Sequence, residues 1–125
     1  MKFKIVTNNP LVKEKLDKDH KVEFIDTTYR QLLVKIRDQV HIGYKLYSHP
    51  LSGSVKPNET PYKSVIVSLE SGTVDFDSVQ LIENSIITCD KFKVKYPSMS
   101  EKMKNDFQLI DLMLMKGALS QINPL

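Results

Sequence analysis

The sequence predicts one α/β domain over residues 1–125, a small sandwich with a mainly parallel sheet of about four strands flanked by helices, the strand order left open. Three observations predict it. Short apolar runs alternate with helical periodicities, as in sheets whose strands are joined through helices. A chain of 125 residues is long enough for one sizeable core. Hydrophobic content of 41% and charged content of 26% are those of an ordinary globular domain.

Phe3–Val6 reads as a short buried strand. Asn9 then serves as N-cap, with Pro10 in the first helical position, for a short helix ending near Asp19 on an apolar face of Leu11, Val12 and Leu16. Val22–Ile25 is a second strand, and Asp26 and Thr27 offer capping oxygens to the next helix. That helix, Thr28–Ile42, is the clearest: Tyr29, Leu32, Leu33, Ile36 and Val40 recur at its period, and Gly43 is the expected stop. Tyr44–Ser48 is a third strand. After a long loop, Lys63–Leu69 is a fourth, rich in β-branched residues and suited to an antiparallel edge position because only a loop precedes it. Asp75 caps a helix carrying Phe76, Val79, Ile82 and Ile86. Lys91–Tyr96 alternates like a strand yet suits the basic tail of that helix, with an extended exit near Phe92 favoured. Ser98 and Glu101 form a capping box for the last helix, whose stripe is Met103, Phe107, Ile110, Leu114 and Ala118.

The charge of +3 and pI near 8.9 tolerate an anionic ligand without indicating nucleic acid, which asks for a clustered basic face. The lone Cys89 excludes an intrachain disulfide and fits a reducing cytoplasm. The first residues turn polar at Thr7-Asn8-Asn9, too soon for a signal peptide, and no apolar run suits a membrane helix. His20, His41 and His49 are scattered and no C-x-x-C occurs, so no metal is expected, and no cofactor either. Lys91, Lys93, Lys95, Lys102 and Lys104, interleaved with Phe92 and Tyr96, read as a solvated face. The run Leu109–Met115 would bury more than one side of its helix, which suits a central helix or a homodimer contact through 107–118.

Two segments could carry chemistry. Thr7, Asn8 and Asn9 lie where a strand ends and a helix begins, a place that binds anions in open sheets but equally serves simple capping. The run His49–Ser64 holds three of the chain's six prolines, and long polar loops are often functional. In it, Gly53 permits close approach, Ser52, Ser54 and Thr60 supply hydroxyls, Lys56 and Lys63 supply charge, and Glu59 orients a lysine or acts as a base. A parallel sheet would set His49 at the same edge as Asn8. Together these residues suit a small carboxylate or phosphate; an ordered loop that satisfies its own polar groups is the plainer reading. No G-x-S-x-G, S-x-x-K, G-x-G-x-x-G or Walker pattern names a reaction.

Lys4-Ile5-Val6-Thr7-Asn8-Asn9-Pro10, the segment His41–Pro50, the loop Ser48–Ser54 through Pro61-Tyr62-Lys63-Ser64, Leu81–Ser85 and Leu109–Leu112 together resemble the GrdX family over nearly the whole chain. The resemblance implies a cytoplasmic bacterial protein encoded with the glycine, sarcosine and betaine reductase systems of amino-acid-fermenting anaerobes. It carries over no catalytic residue, and Cys89 alone cannot form a dithiol. The leading expectation is therefore an accessory or binding protein of that metabolism, holding a small anion or a protein partner's segment between Thr7–Asn9 and the 49–64 loop. The alternatives are a small transferase or hydrolase with His49 as general acid/base and Lys56 as anion anchor, and a structural subunit docking through the last helix.

Overall fold

The computed structural model describes residues 2–53 and 55–122. Strand β1 (Phe3–Thr7) leads into helix α1 (Pro10–Leu16), strand β2 (Val22–Phe24) and helix α2 (Tyr29–His41). Strand β3 (Ser64–Ser68), helix α3 (Phe76–Cys89), a 3-10 turn (Tyr96–Ser98) and helix α4 (Glu101–Ile122) follow. The sheet order is β2-β1-β3, with β1 parallel to β2 and antiparallel to β3. None of these helices is long and apolar enough to cross a membrane.

Successive strand residues face opposite ways, so the apolar runs of β1 and β3 feed two cores. Val6, Val65 and Val67 pack with Tyr29, Leu32, Leu33, Ile36 and Val40 of α2 and with Ile82, Ile86 and Cys89 of α3. Ile5 and Ile66 pack on the other face with Val12 and Leu16 of α1 and Leu112, Met115 and Leu119 of α4. The result is a three-layer sandwich with β1 at its centre.

The strand count is a correction. Among the described residues there are three strands in a mixed sheet where about four, mainly parallel, were expected. Residues 44–48 do lie along the free side of β3, antiparallel to it, but make one isolated bridge, Leu46 to Val67. Two serines explain this. Ser48 Oγ accepts from Ile66 N at 2.8 Å and Ser68 Oγ from Lys45 N at 2.9 Å, while Leu46 N, on the side away from β3, goes to Ser78 Oγ at 3.0 Å. Hydroxyls take amides that a regular ladder would pair with carbonyls. Strand β3 is antiparallel to β1 and lies at one edge of the sheet, as the missing crossover helix suggested.

Three termini also differ from expectation. Helix α1 stops at Leu16, and Thr28 rather than Asp26 or Thr27 caps α2, accepting from Gln31 N at 3.2 Å. Residues Ser98 and Glu101 form no capping box: Ser98 lies in the 3-10 turn, and Ser100 Oγ takes Met103 N at 3.2 Å. Between α3 and that turn, residues 93–95 are neither strand nor helix. Asn58, at a φ of 66°, ties this exit down: its Nδ2 donates to the carbonyls of Cys89 at 3.1 Å and Phe92 at 3.0 Å. Gly43 is the α2 stop, with a φ of 109° that side-chain-bearing residues rarely adopt.

Candidate functional site

The carboxyl end of β1 is a clasp. Asn8 Nδ2 donates to the carbonyls of Thr27 at 3.0 Å and Pro61 at 2.8 Å, and Asn8 Oδ1 accepts from Lys63 N at 2.8 Å. One buried amide thus joins the end of β1, the approach to α2 and the end of the long loop. Asn9 faces the other way. Its Oδ1 caps α1 through Leu11 N at 3.0 Å, while its Nδ2 donates to Gln108 O and to Asp111 Oδ2 on α4.

The register explains the next contact. Thr7 and Ser64 are direct partners across β1 and β3, on the face that α4 covers, and their hydroxyls lie 2.7 Å apart. Ser64 Oγ donates onward to Asp111 Oδ2 at 2.7 Å. Burial pushes the Asp111 carboxyl above its ordinary range, against the pull of Asn9, Ser64 and Lys63. Burial also lowers Lys63, whose ammonium donates to the Ser52 carbonyl. These two residues, with Tyr29, Thr60, Tyr62 and Ile110, help line a chamber of about 10 Å³ between the loop and α4. That is room for about one water molecule, so the chamber braces the loop rather than receiving a metabolite.

On the outer side of the Asn8 clasp lies a cleft of about 560 Å³. It opens where β1 and β2 end, the usual ligand position in α/β sheets. Phe24, Tyr62 and Tyr96 give it aromatic walls; Asn8, Asp26, Thr27 and Thr28 give it a polar floor. No lysine or arginine lines it among the described residues. Burial raises the Tyr96 phenol, so it is a neutral hydroxyl at physiological pH. Tyr62 is fixed from behind, its Oη accepting from Gln108 Nε2 at 3.0 Å.

The model of the GrdX-like protein family matches residues 4–120. The chain belongs to the GrdX-like protein family. No curated protein and no solved structure matches it.

In this GrdX-like protein the expected site residues divide. Thr7, Asn8, Asn9, Lys63 and the Ser52 carbonyl are brought together in the clasp and chamber. Gly53, at a φ of 121°, abuts Leu114 on α4. Ser54 lies outside the described residues. His49 is exposed, and its Nδ1 accepts from Leu51 N at 3.0 Å. Among the described residues it makes no hydrogen bond to Thr7, Asn8 or Asn9 and no ion pair. Lys56 is exposed, and its carbonyl accepts from Glu59 N in a local turn. Glu59 leans toward Lys95, 3.5 Å away, beside a separate groove. Among the described residues no three His, Cys, Asp or Glu side chains cluster to hold a metal.

Residue-level reading missed Ser64 and Asp111 and all the aromatic walls. A lone acid inside the apolar run Leu109–Met115 is the available signal for Asp111, since such an acid must be satisfied or functional. Phe24, Tyr62 and Tyr96 come from three distant segments, and no local pattern joins them.

Proposed function

We propose that this GrdX-like protein is an accessory binding protein of glycine, sarcosine and betaine reductase metabolism, and that it takes a small N-methylated amino-acid zwitterion in the cleft at the ends of β1 and β2. One observation carries the reading: three aromatic side chains and the Asp26 carboxylate surround a cleft that no lysine or arginine lines among the described residues. Aromatic faces attract a methylated ammonium by roughly 0.5–2 kcal/mol each, more where water is excluded. The ligand's carboxylate would sit at the start of α2, where Thr27 and Thr28 offer hydroxyls and the first turn offers amides. This keeps the small-anion expectation for one end of the ligand and assigns the other end to the aromatic walls. Thr7, Asn9, Lys63, Ser64 and Asp111 hold the floor in place without touching ligand.

Isothermal titration calorimetry with betaine, sarcosine, glycine, acetyl phosphate and phosphate tests it. Betaine binds most tightly, glycine least of the three amino acids, and the two phosphates give no heat. Tyr96→Ala weakens betaine about fivefold, the loss of roughly one cation–π contact. Phosphate binding in preference to betaine, or betaine affinity indifferent to Tyr96→Ala, overturns the reading.

A further inference from the structure

Helix α4 has three sides. Leu112, Met115 and Leu119 pack into the core with Ile5, Ile66 and Val12. Phe107, Ile110, Asp111 and Leu114 line the chamber under the 49–64 loop. The third side is uncovered. Its Leu109 is 50% exposed and its Met113 64%. Neither belongs to a core cluster or lines the chamber or the cleft. A β-carbon added at Gly117, one turn beyond Met113, would meet nothing within 4 Å. Along this side Lys102, Asp106, Leu109, Met113, Lys116 and Ser120 follow one another at spacings of four, three, four, three and four, the rhythm of a helix-pairing seam. Asp106 and Lys116 flank the apolar pair symmetrically, three residues before Leu109 and three after Met113. Both are exposed, and neither makes an ion pair among the described residues.

That order complements itself. A second α4 laid antiparallel, with a two-fold axis at residue 111, sets Leu109 opposite the partner's Met113 and Asp106 opposite the partner's Lys116. The symmetry makes each pair twice, and Lys102 falls opposite the partner's Ser120. A parallel alignment instead sets acid on acid and lysine on lysine, which repels. We propose that this side of α4 is a homodimer contact, two copies of the chain meeting antiparallel through Leu109 and Met113 inside two Asp106–Lys116 ion pairs. Charge selects a second copy as the occupant. The seam asks for a base opposite Asp106 and an acid opposite Lys116, set around two apolar residues, and this chain carries that arrangement itself. The same patch on both subunits is the rule for two-fold dimers. One helix pair is a small interface, so the dimer is weak, with a dissociation constant on the order of 100 µM. None of these residues lines the cleft, so the contact does not rest on the ligand reading.

Sedimentation velocity of the full chain from about 10 µM to about 1 mM tests it. The wild type passes from monomer to dimer across that range, and high salt weakens the dimer. Met113→Glu, at an exposed position that leaves the circular dichroism spectrum unchanged, stays monomeric. Asp106→Lys and Lys116→Glu each set like charges opposite one another and weaken the dimer at least about tenfold. The double variant exchanges the two charges and returns the affinity to within about threefold of wild type, a rescue that a merely structural role or a parallel pairing does not give. A wild type that is monomeric at the top of the range, a dimer that survives Met113→Glu, or a double variant no tighter than the single ones overturns the proposal.

Discussion

Asp111 gathers the polar face of the sheet onto α4. Its Oδ2 accepts from both Ser64 Oγ and Asn9 Nδ2, so truncation strands two buried donors at once. Asp111→Ala is expected to cost about 3 kcal/mol in urea unfolding, the penalty of leaving buried donors unpaired. Its titration has a definite sign. Burial raises the folded pKa above the unfolded value of about 3.9. Between those two values the folded protein holds a proton that the unfolded chain has released, so stability falls as pH rises. The contribution is fully present below the unfolded value and is lost through the folded one. The stability of wild type relative to Asp111→Asn therefore declines as pH rises through that window and is flat above it. A difference constant from pH 3.5 to 7 would contradict this. Asn8 is the second such residue. Asn8→Ala removes three hydrogen bonds and is expected to cost on the order of 3 kcal/mol, read from the same unfolding curves.

Among the elements, α2 shows what a sequence can declare. Tyr29, Leu32, Leu33, Ile36 and Val40 are all buried, Thr28 caps the start and Gly43 closes the end. A β-carbon at Gly43 would fall 2.0 Å from the Gly72 carbonyl oxygen, besides the strain of its positive φ. Gly43→Ala should thus cost more than about 1 kcal/mol, a loss of at least about 4 °C in melting temperature. Residues 44–48 show the limit. Their composition suits a strand, but Ser48 and Ser68 compete for the ladder's amides, and that competition depends on two distant segments meeting. The last helix begins two residues later than its capping box suggested because Tyr96-Pro97-Ser98 closes into a 3-10 turn first. The site divides in the same way. Thr7-Asn8-Asn9 was legible, since a polar run between a strand and a Pro-initiated helix must satisfy buried backbone. The aromatic cleft was not, because the β1–β2 register and the path of the loop decide which rings meet.

For the molecule as a whole, β1 fixes everything that matters to the site. It is paired on both sides and buried on both faces, so its amides and those of β3 should be the slowest to exchange with deuterium, with β2 and residues 44–48 faster. From that rigid centre, Asn8 holds the cleft at one strand end, and Thr7 with Asn9 anchors α4 behind it. The proposed methylated amino-acid ligand rests on the aromatic walls of this cleft. The most direct test is a nitrogen–proton NMR titration of the uniformly labelled protein with betaine. Saturable shifts confined to the amides of Asn8, Phe24, Asp26, Thr27, Thr28, Tyr62 and Tyr96 are the predicted result. Shifts centred on His49, Lys56 and Glu59, or none that saturate, would contradict the account.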